Sequence, residues 1–235
     1  MHPTYFVSDL HLLSSRSDAR LYFDQLHAAA SAASHFVLGG DIFDFRWARA
    51  QTLGEAVELA VGWLRRVAET APNCQFHYVL GNHDHHEAFV QELGALAEAT
   101  PNLTWHEFYF RDGVNVFLHG DVADRKMTAA HLHHRRSDRG QHKPMRPVRH
   151  HLYNLAVHAR LHKPIPFLTR PKRLVARRIL HYLRDVGHCP LSGVEHVYFG
   201  HIHRVVSHYR YGGLLFHSGG APIRGLRFRI VKVEA

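Results

Sequence analysis

Tyr5-Phe-Val-Ser-Asp-Leu-His11 and Phe36-Val-Leu-Gly-Gly-Asp41, separated by an Ala-rich segment from Leu21 to Ala33, decide how this chain folds. Each is a short apolar run that ends in small and polar residues, as a buried strand does where it gives way to a loop. The segment between them reads as a helix. A second helical stretch, Leu53 to Ala68, leads to a third run, Phe76-His-Tyr-Val-Leu80. This β-α-β-α rhythm predicts a layered α/β domain with helices covering a sheet. After Trp105 the rhythm changes to strands joined by tight turns: Leu103 to Phe110, Val114 to Leu118, Val194 to Phe199, Val205 to Tyr211, Leu214 to Phe216 and Leu226 to Val233.

Between these strands, residues 122–188 hold sixteen of the 29 Lys and Arg residues against three acidic ones, with no strand pattern. This predicts a basic helical insertion within one domain spanning 1–235. Val148, Leu152, Leu155, Ala156 and Ala159 recur at helical spacing, as do Val175, Ile179, Leu183 and Val186. Arg173, Arg177, Arg178 and Arg184 fall mainly off the second stripe. The connector from His162 to Lys172 carries prolines that break a helix and leaves Ile165, Phe167 and Leu168 on a loop.

Composition narrows the function. With 46% hydrophobic and 21% charged residues the chain has a globular rather than a disordered balance. Cys74 and Cys189 are far apart and form no Cys-x-x-Cys spacing, so reduced thiols are expected rather than a disulfide framework. A net charge of +9 favours an anionic partner, whether phosphorylated substrate, acidic membrane surface or nucleic acid. No basic-then-apolar leader precedes Tyr5, and no run approaches the ~18 apolar residues of a spanning helix. The expectation is a cytoplasmic protein. Nucleic acid is the less favoured partner, because the basic stretch has few interleaved aromatics.

The polar residues that follow the apolar runs share one chemistry. Asp9-Leu-His11, Gly40-Asp41, Gly81-Asn-His-Asp84, His119-Gly-Asp121 and Gly200-His-Ile-His203 each stand at the end of a strand-like run. Loops beyond the carboxyl ends of strands form the ligand crevice of open α/β sheets, so these residues are expected to converge. Carboxylate, imidazole and amide oxygen are ligands for manganese, iron or zinc. Glycine beside Asp41, Asn82 and His201 leaves room for close approach. The pairs His85-His86, His133-His134 and His150-His151 receive no ligand role.

This order resembles the calcineurin-like metallophosphoesterase superfamily, whose blocks read Asp-x-His, Gly-Asp, Gly-Asn-His-Asp/Glu, a later His, and Gly-His-x-His. The resemblance covers nearly all of the chain outside the insertion. It implies a layered αββα sandwich with a helical cap, binding two divalent cations, Mn2+ first with Fe or Zn as alternatives. Asp9, His11, Asp41 and His203 would hold one cation and Asp41, Asn82, His119 and His201 the other, with Asp41 bridging. It also implies hydrolysis of a phosphodiester or pyrophosphate by metal-activated water. His83 would stand near the leaving oxygen, oriented by Asp84. His217-Ser-Gly-Gly220 resembles a degenerate form of the family's Asn-Pro-Gly-Ser turn, so Ser218 is a substrate-side candidate, as are the basic Arg125 and Arg177.

Within the superfamily, Ser8-Asp-Leu-His-Leu12, Gly40-Asp-Ile-Phe-Asp44 with Trp47 nearby, and the basic insertion after His119-Gly-Asp121 look like the UDP-2,3-diacylglucosamine hydrolase group. That resemblance implies a lipid-linked UDP sugar in lipid A biosynthesis, reached from the inner face of a membrane. Two features depart from that group: His83 stands where those enzymes carry Arg, and Val122-Ala-Asp-Arg-Lys126 replaces an acidic segment. A nuclease, nucleotide phosphodiesterase or phosphatase therefore stays open, as does a non-catalytic basic binding module.

Overall fold

The computed structural model describes residues 3–140 and 170–234. In one sheet β1 (Thr4–Val7), β2 (His35–Gly39), β3 (Gln75–Val79) and β4 (Leu103–His106) run parallel in that order. The second sheet is built from β5 (Tyr109–Asp112), β6 (Asn115–Leu118), β7 (His196–Phe199), β8 (Val205–Tyr211) and β9 (Leu214–Gly219), in the order β5-β6-β7-β9-β8. A short β10 (Val231–Lys232) returns to the first sheet and pairs antiparallel with β1. Pairing is parallel from β6 to β7 and from β7 to β9, and antiparallel at both edges of the second sheet.

Alternation along the strands creates the layers. In β1, β2 and β3, Val7, Phe36, Leu38, Phe76 and Tyr78 face one side, against α1 (Phe23–Ala32), α2 (Leu53–Thr70) and α3 (Glu87–Ala99). Phe6, Val37 and Val79 face the other way, where they meet Phe117 and Tyr198 of the second sheet. In turn Val116, Leu118, Val197 and Phe199 face outward onto α4 (Ala129–Gly140) and α5 (Lys172–Asp185). Three apolar layers thus separate helix, sheet, sheet and helix, giving the αββα sandwich. The longest of these helices, α2, buries Ala56, Val57, Ala60, Leu64 and Ala68 along one stripe. Its start is fixed by Thr52, whose side chain accepts from Glu55 N at 3.1 Å.

Two sequence expectations change. The run from Leu103 to Phe110 is not one strand: it breaks at Glu107-Phe108, and its halves β4 and β5 belong to different sheets. The physical cause is a crossing from one sheet to the other, which the aromatic residues on both sides of Glu107 conceal. Likewise the run from Leu226 to Val233 contributes only the two residues of β10. Within the basic stretch, α5 buries Val175, Ile179 and Leu183 against the second sheet. The Val148 to Ala159 stripe, His150-His151 and the connector residues Ile165, Phe167 and Leu168 lie outside the described residues.

Because β1, β2, β3, β6 and β7 run parallel to their neighbours, the segments that follow them emerge on one edge of the sandwich. Backbone bonds tie these exits together: Asp9 N donates to Gly40 O at 3.0 Å, His11 N to Asp41 O at 2.9 Å and Gly200 N to His119 O at 2.8 Å.

Candidate metal centre

Leaving a strand and turning at once toward a common point requires unusual backbone. Among the described residues, seven other than glycine have positive φ, and five of them are Asp9 (55°), His11 (47°), Asp41 (52°), His201 (67°) and His203 (52°). Left-handed backbone costs an L-residue about 1–2 kcal/mol, so its concentration on these five marks strain held in place by the surrounding fold. Two glycines permit the approach. A Cβ on Gly81 would stand 2.3 Å from Asp41 Oδ1, and one on Gly200 would stand 2.2 Å from Asp9 Oδ2.

The structure brings all seven expected donors together. His11 Nε2 lies 3.0 Å from His203 Nε2, and His203 Nε2 lies 3.4 Å from Asp9 Oδ1. A second set forms around His119: its Nε2 is 3.2 Å from Asp41 Oδ2, 3.3 Å from Asn82 Oδ1 and 3.3 Å from His201 Nδ1. Ligands bound at about 2.1 Å stand about 3.0 Å apart at right angles and about 3.4 Å apart at tetrahedral angles. Both sets have that spacing, so the residues present fit a cation at each. Asp9, His11 and His203 could hold one ion, and Asp41, His119 and His201 another.

A third group of potential donors, His11, Asp44 and His83, has a different character. Asp44 Oδ2 accepts from Arg16 Nη2 at 2.6 Å, and that guanidinium nitrogen lies 3.0 Å from His11 Nδ1. A cation already occupies this corner, so Asp44 serves as a support. Its Oδ1 accepts from His83 Nδ1 at 2.8 Å and from Trp47 N at 3.1 Å.

Here the structure corrects the sequence reading: Asp44, not Asp84, orients His83. Asp84 points elsewhere, accepting from Gly81 N at 2.6 Å, Tyr78 Oη at 2.7 Å and Ile42 N at 2.9 Å. It braces the loop after β3 against the one after β2. Adjacency in sequence turned the Asp84 side chain away from its neighbour's ring, while a turn brought Asp44 to it.

Charge follows from these contacts. Burial alone would lower the His83 imidazole, but the Asp44 and Asp41 carboxylates outweigh it and raise its pKa above the ordinary value. Burial is likewise overcome at His119, which Asp41 and then Asp9 lift to about 10. Burial, followed by the Arg16 charge, pushes His11 down to about 3. His203 is lowered, chiefly by burial. Burial opposes ionisation of Asp41 and Asp44, yet the nearby His119 and His83 for the first, and His83 and Arg16 for the second, hold both well below the usual carboxylate range. Burial, then the Asp41 charge, raises Asp84 to about 6. The cluster is thus already arranged for positive charge beside Asp41 and neutral imidazole at His11.

One acidic residue of the basic stretch escaped the sequence reading. Asp124 Oδ1 accepts from His201 Nε2 at 2.7 Å and from Arg170 Nη2 at 2.8 Å, and Oδ2 accepts from Arg135 Nη2. Its rarity among sixteen cations was the available signal. Other expected residues fall outside the cluster. Arg125 is exposed and makes no hydrogen bond or ion pair among the described residues. Arg177 lines a basic groove with Lys126, Arg178 and Arg184 that contains none of the seven donors. Ser218 is buried near the end of β9, where its Oγ accepts from Gly220 N at 3.4 Å.

Gly200→Ala is expected to weaken the Asp9 site specifically. Asp9 cannot yield to the added methyl, since it accepts from His201 N at 2.9 Å and Ser8 Oγ at 2.7 Å. Manganese titration of the metal-free variant should show one site weakened by about 10–100-fold. Two sites of unaltered affinity would contradict the packing argument.

Comparison with known families agrees with this geometry. The family description "Calcineurin-like phosphoesterase" matches over residues 2–205. No curated protein matches the chain.

Proposed function

Because this chain belongs to the calcineurin-like phosphoesterase family, we propose that it hydrolyses phosphodiester or pyrophosphate bonds with two divalent cations. The observation that carries the reading is the gathering of seven oxygen and nitrogen donors at ligand spacing, five of them on left-handed backbone. Asp9, His11, Asp41 and His203 would hold one cation and Asp41, Asn82, His119 and His201 the other, with Asp41 shared. A donor set of carboxylate, imidazole and amide without sulfur suits manganese, with iron and zinc as alternatives.

When bound, the two cations offset the charge on the phosphoryl oxygens and lower the pKa of the attacking water. The chain's own groups supply the rest. Asp44 and Asp41 outweigh burial and raise the His83 pKa, and its Nδ1 is tied to Asp44. Its Nε2 is the group that hands a proton to the leaving oxygen. Asp44 fixes that ring and sits 3.3 Å from His11 Nδ1, so one carboxylate sets two imidazoles. Asp124 does the same for His201: with the proton on Nε2 toward Asp124, Nδ1 on the His119 side would be the donor for the second cation.

His83→Asn separates this role from a structural one. It is expected to lower kcat about 100-fold or more for an ester with an alkyl leaving group, and much less for a p-nitrophenyl ester, whose oxygen leaves without a proton. Metal content should hold. Equal losses on both esters, or lost metal, would remove the proton-donor role.

The sequence resemblance to UDP-2,3-diacylglucosamine hydrolases makes a pyrophosphate-linked nucleotide sugar the first substrate to test. Among the described residues no helix is long and apolar enough to cross a membrane. The exposed Lys126, Arg177 and Arg184 support peripheral contact with an anionic membrane surface, on the cytoplasmic side. Purified protein should therefore be assayed with Mn2+ against bis(p-nitrophenyl) phosphate, UDP-lipid sugars, cyclic nucleotides, phosphoproteins and single-stranded nucleic acid. Hydrolysis that a chelator abolishes and Mn2+ restores is expected. No hydrolysis of any of them, or turnover indifferent to chelation, would sink the reading.

A further inference from the structure

His203 has two environments. One side of its ring faces Asp9 and His11; the residue also forms a wall of an open groove of about 530 Å³ lined by Lys172, Arg204, Val205, Leu226 and Arg227. The groove therefore begins at a donor of the metal cluster. Among the described residues, three of its lining side chains are cations, and none is acidic or aromatic apart from the His203 imidazole itself. Arg204 Nη1 is steadied by Arg170 O at 3.1 Å, and Lys172 Nζ lies 5.9 Å from the centre of the Tyr209 ring. Arg227 is exposed and forms no side-chain hydrogen bond or ion pair among the described residues.

The chemistry of such a lining selects its occupant. Several cationic side chains on one groove attract a multivalent anion, which Arg and Lys bind with charge-assisted hydrogen bonds. The described lining, without tyrosine, tryptophan or phenylalanine, offers no face for stacking a base, and its one leucine and one valine give little shelter to an acyl chain. Its volume falls within the range that holds a small ligand. The other basic groove, around Lys126, Arg177 and Arg184, has similar charge but no metal-cluster residue in its lining. It lacks the continuity with the reacting centre.

From this we infer that the groove of Lys172, Arg204 and Arg227 binds a second phosphate group of the substrate, so that the enzyme selects esters bearing another phosphate beyond the scissile one. The inference rests on the phosphoesterase reading and adds the substrate class. A molecule with its reacting phosphoryl group at the metal cluster extends past His203, and its next phosphate meets the three cations. Simple monoesters and diesters leave the groove empty.

Two measurements on the full chain test this. In the first, metal-free protein is titrated calorimetrically with inorganic pyrophosphate. The Lys172→Glu/Arg227→Glu variant should bind at least about tenfold more weakly than the wild type, while Arg65→Glu/Arg66→Glu, exposed on α2 away from this groove, should bind comparably to it. Thermal melting of each variant identifies any that fail to fold, and in that event the milder Lys172→Gln/Arg227→Gln is used. In the second, Mn2+-loaded protein is given thymidine 5′-(p-nitrophenyl phosphate) with or without a 3′-phosphate. The scissile bond and chromophore are the same in both. The 3′-phosphate should raise kcat/KM about tenfold, and the groove variant should lose that advantage. A groove variant that binds pyrophosphate as tightly as wild type overturns the assignment. Hydrolysis of neither ester would remove the phosphoesterase reading, while the titration would still decide the groove.

Discussion

Asp41→Asn is expected to abolish turnover of an aryl phosphodiester, by about a thousandfold or more, and to weaken both cations together. The size of the effect follows from where this carboxylate sits. One oxygen, Oδ2, is 3.2 Å from His119 Nε2, and the other, Oδ1, accepts the His83 backbone N–H at 2.8 Å. Its side chain is buried, and despite that burial the neighbouring His119 and His83 keep it ionised. An amide is nearly isosteric but carries no charge, and it presents N–H donors to a site that needs acceptors. Because the Asp41 charge also helps raise the His83 pKa, the substitution removes a proposed metal ligand and part of the proposed proton-donor poise together. Metal analysis by mass spectrometry alongside p-nitrophenolate release would check it. Activity within tenfold of wild type would mean that Asp41 bridges nothing.

Arg136→Ala should produce the largest loss of stability, about 3–5 kcal/mol, through the charge it leaves behind. Arg136 is only 1% exposed, and so is its partner Asp121. The guanidinium donates Nη2 to Asp121 Oδ1 at 2.8 Å and Nε to Oδ2 at 3.1 Å, the two-point geometry that Lys cannot reproduce. Its Nη1 donates to Glu107 O at 2.6 Å, so α4 is fastened to the turn after β6 and to the crossing between β4 and β5. Removing it strands a buried carboxylate and empties a large volume at once.

The pH dependence of this pair has a defined sign. Burial would raise Asp121, but Arg136 outweighs it and holds Asp121 far below the ordinary carboxylate range. A depressed folded-state pKa means the contribution is present above the unfolded value and is lost as pH falls from there through the folded value. Urea denaturation at neutral and acidic pH would show the gap between wild type and variant narrowing in acid. Near-equal midpoints at neutral pH would contradict the role assigned to Arg136.

Much of this architecture was legible in the residues. Five polar motifs behind five apolar runs were enough to place Asp9, His11, Asp41, Asn82, His119, His201 and His203 at one edge, because parallel strands carry their exits to the same side. The Val175, Ile179 and Leu183 stripe was equally readable, since helical spacing and burial coincide there. What escaped depended on side-chain direction. Neither sequence distance nor residue type told Asp44 from Asp84 as the partner of His83; only the turn after β2 does. Charge counting assigned the cations of the basic stretch to an anionic partner. Arg136 is instead the largest of the fully buried side chains, and Arg135 and Arg170 close around Asp124 behind His201. The crossing at Glu107-Phe108 was hidden for a related reason, as apolar residues on both sides serve different sheets with the same pattern.

Seven separated side chains offer donors for two cations. Equilibrium dialysis of the metal-free chain against Mn2+, with bound metal and protein quantified in the same sample, tests it most directly. Two ions per chain at saturation, falling to one or none in Asp41→Asn, is the predicted result. One ion or none in the unaltered chain would contradict it.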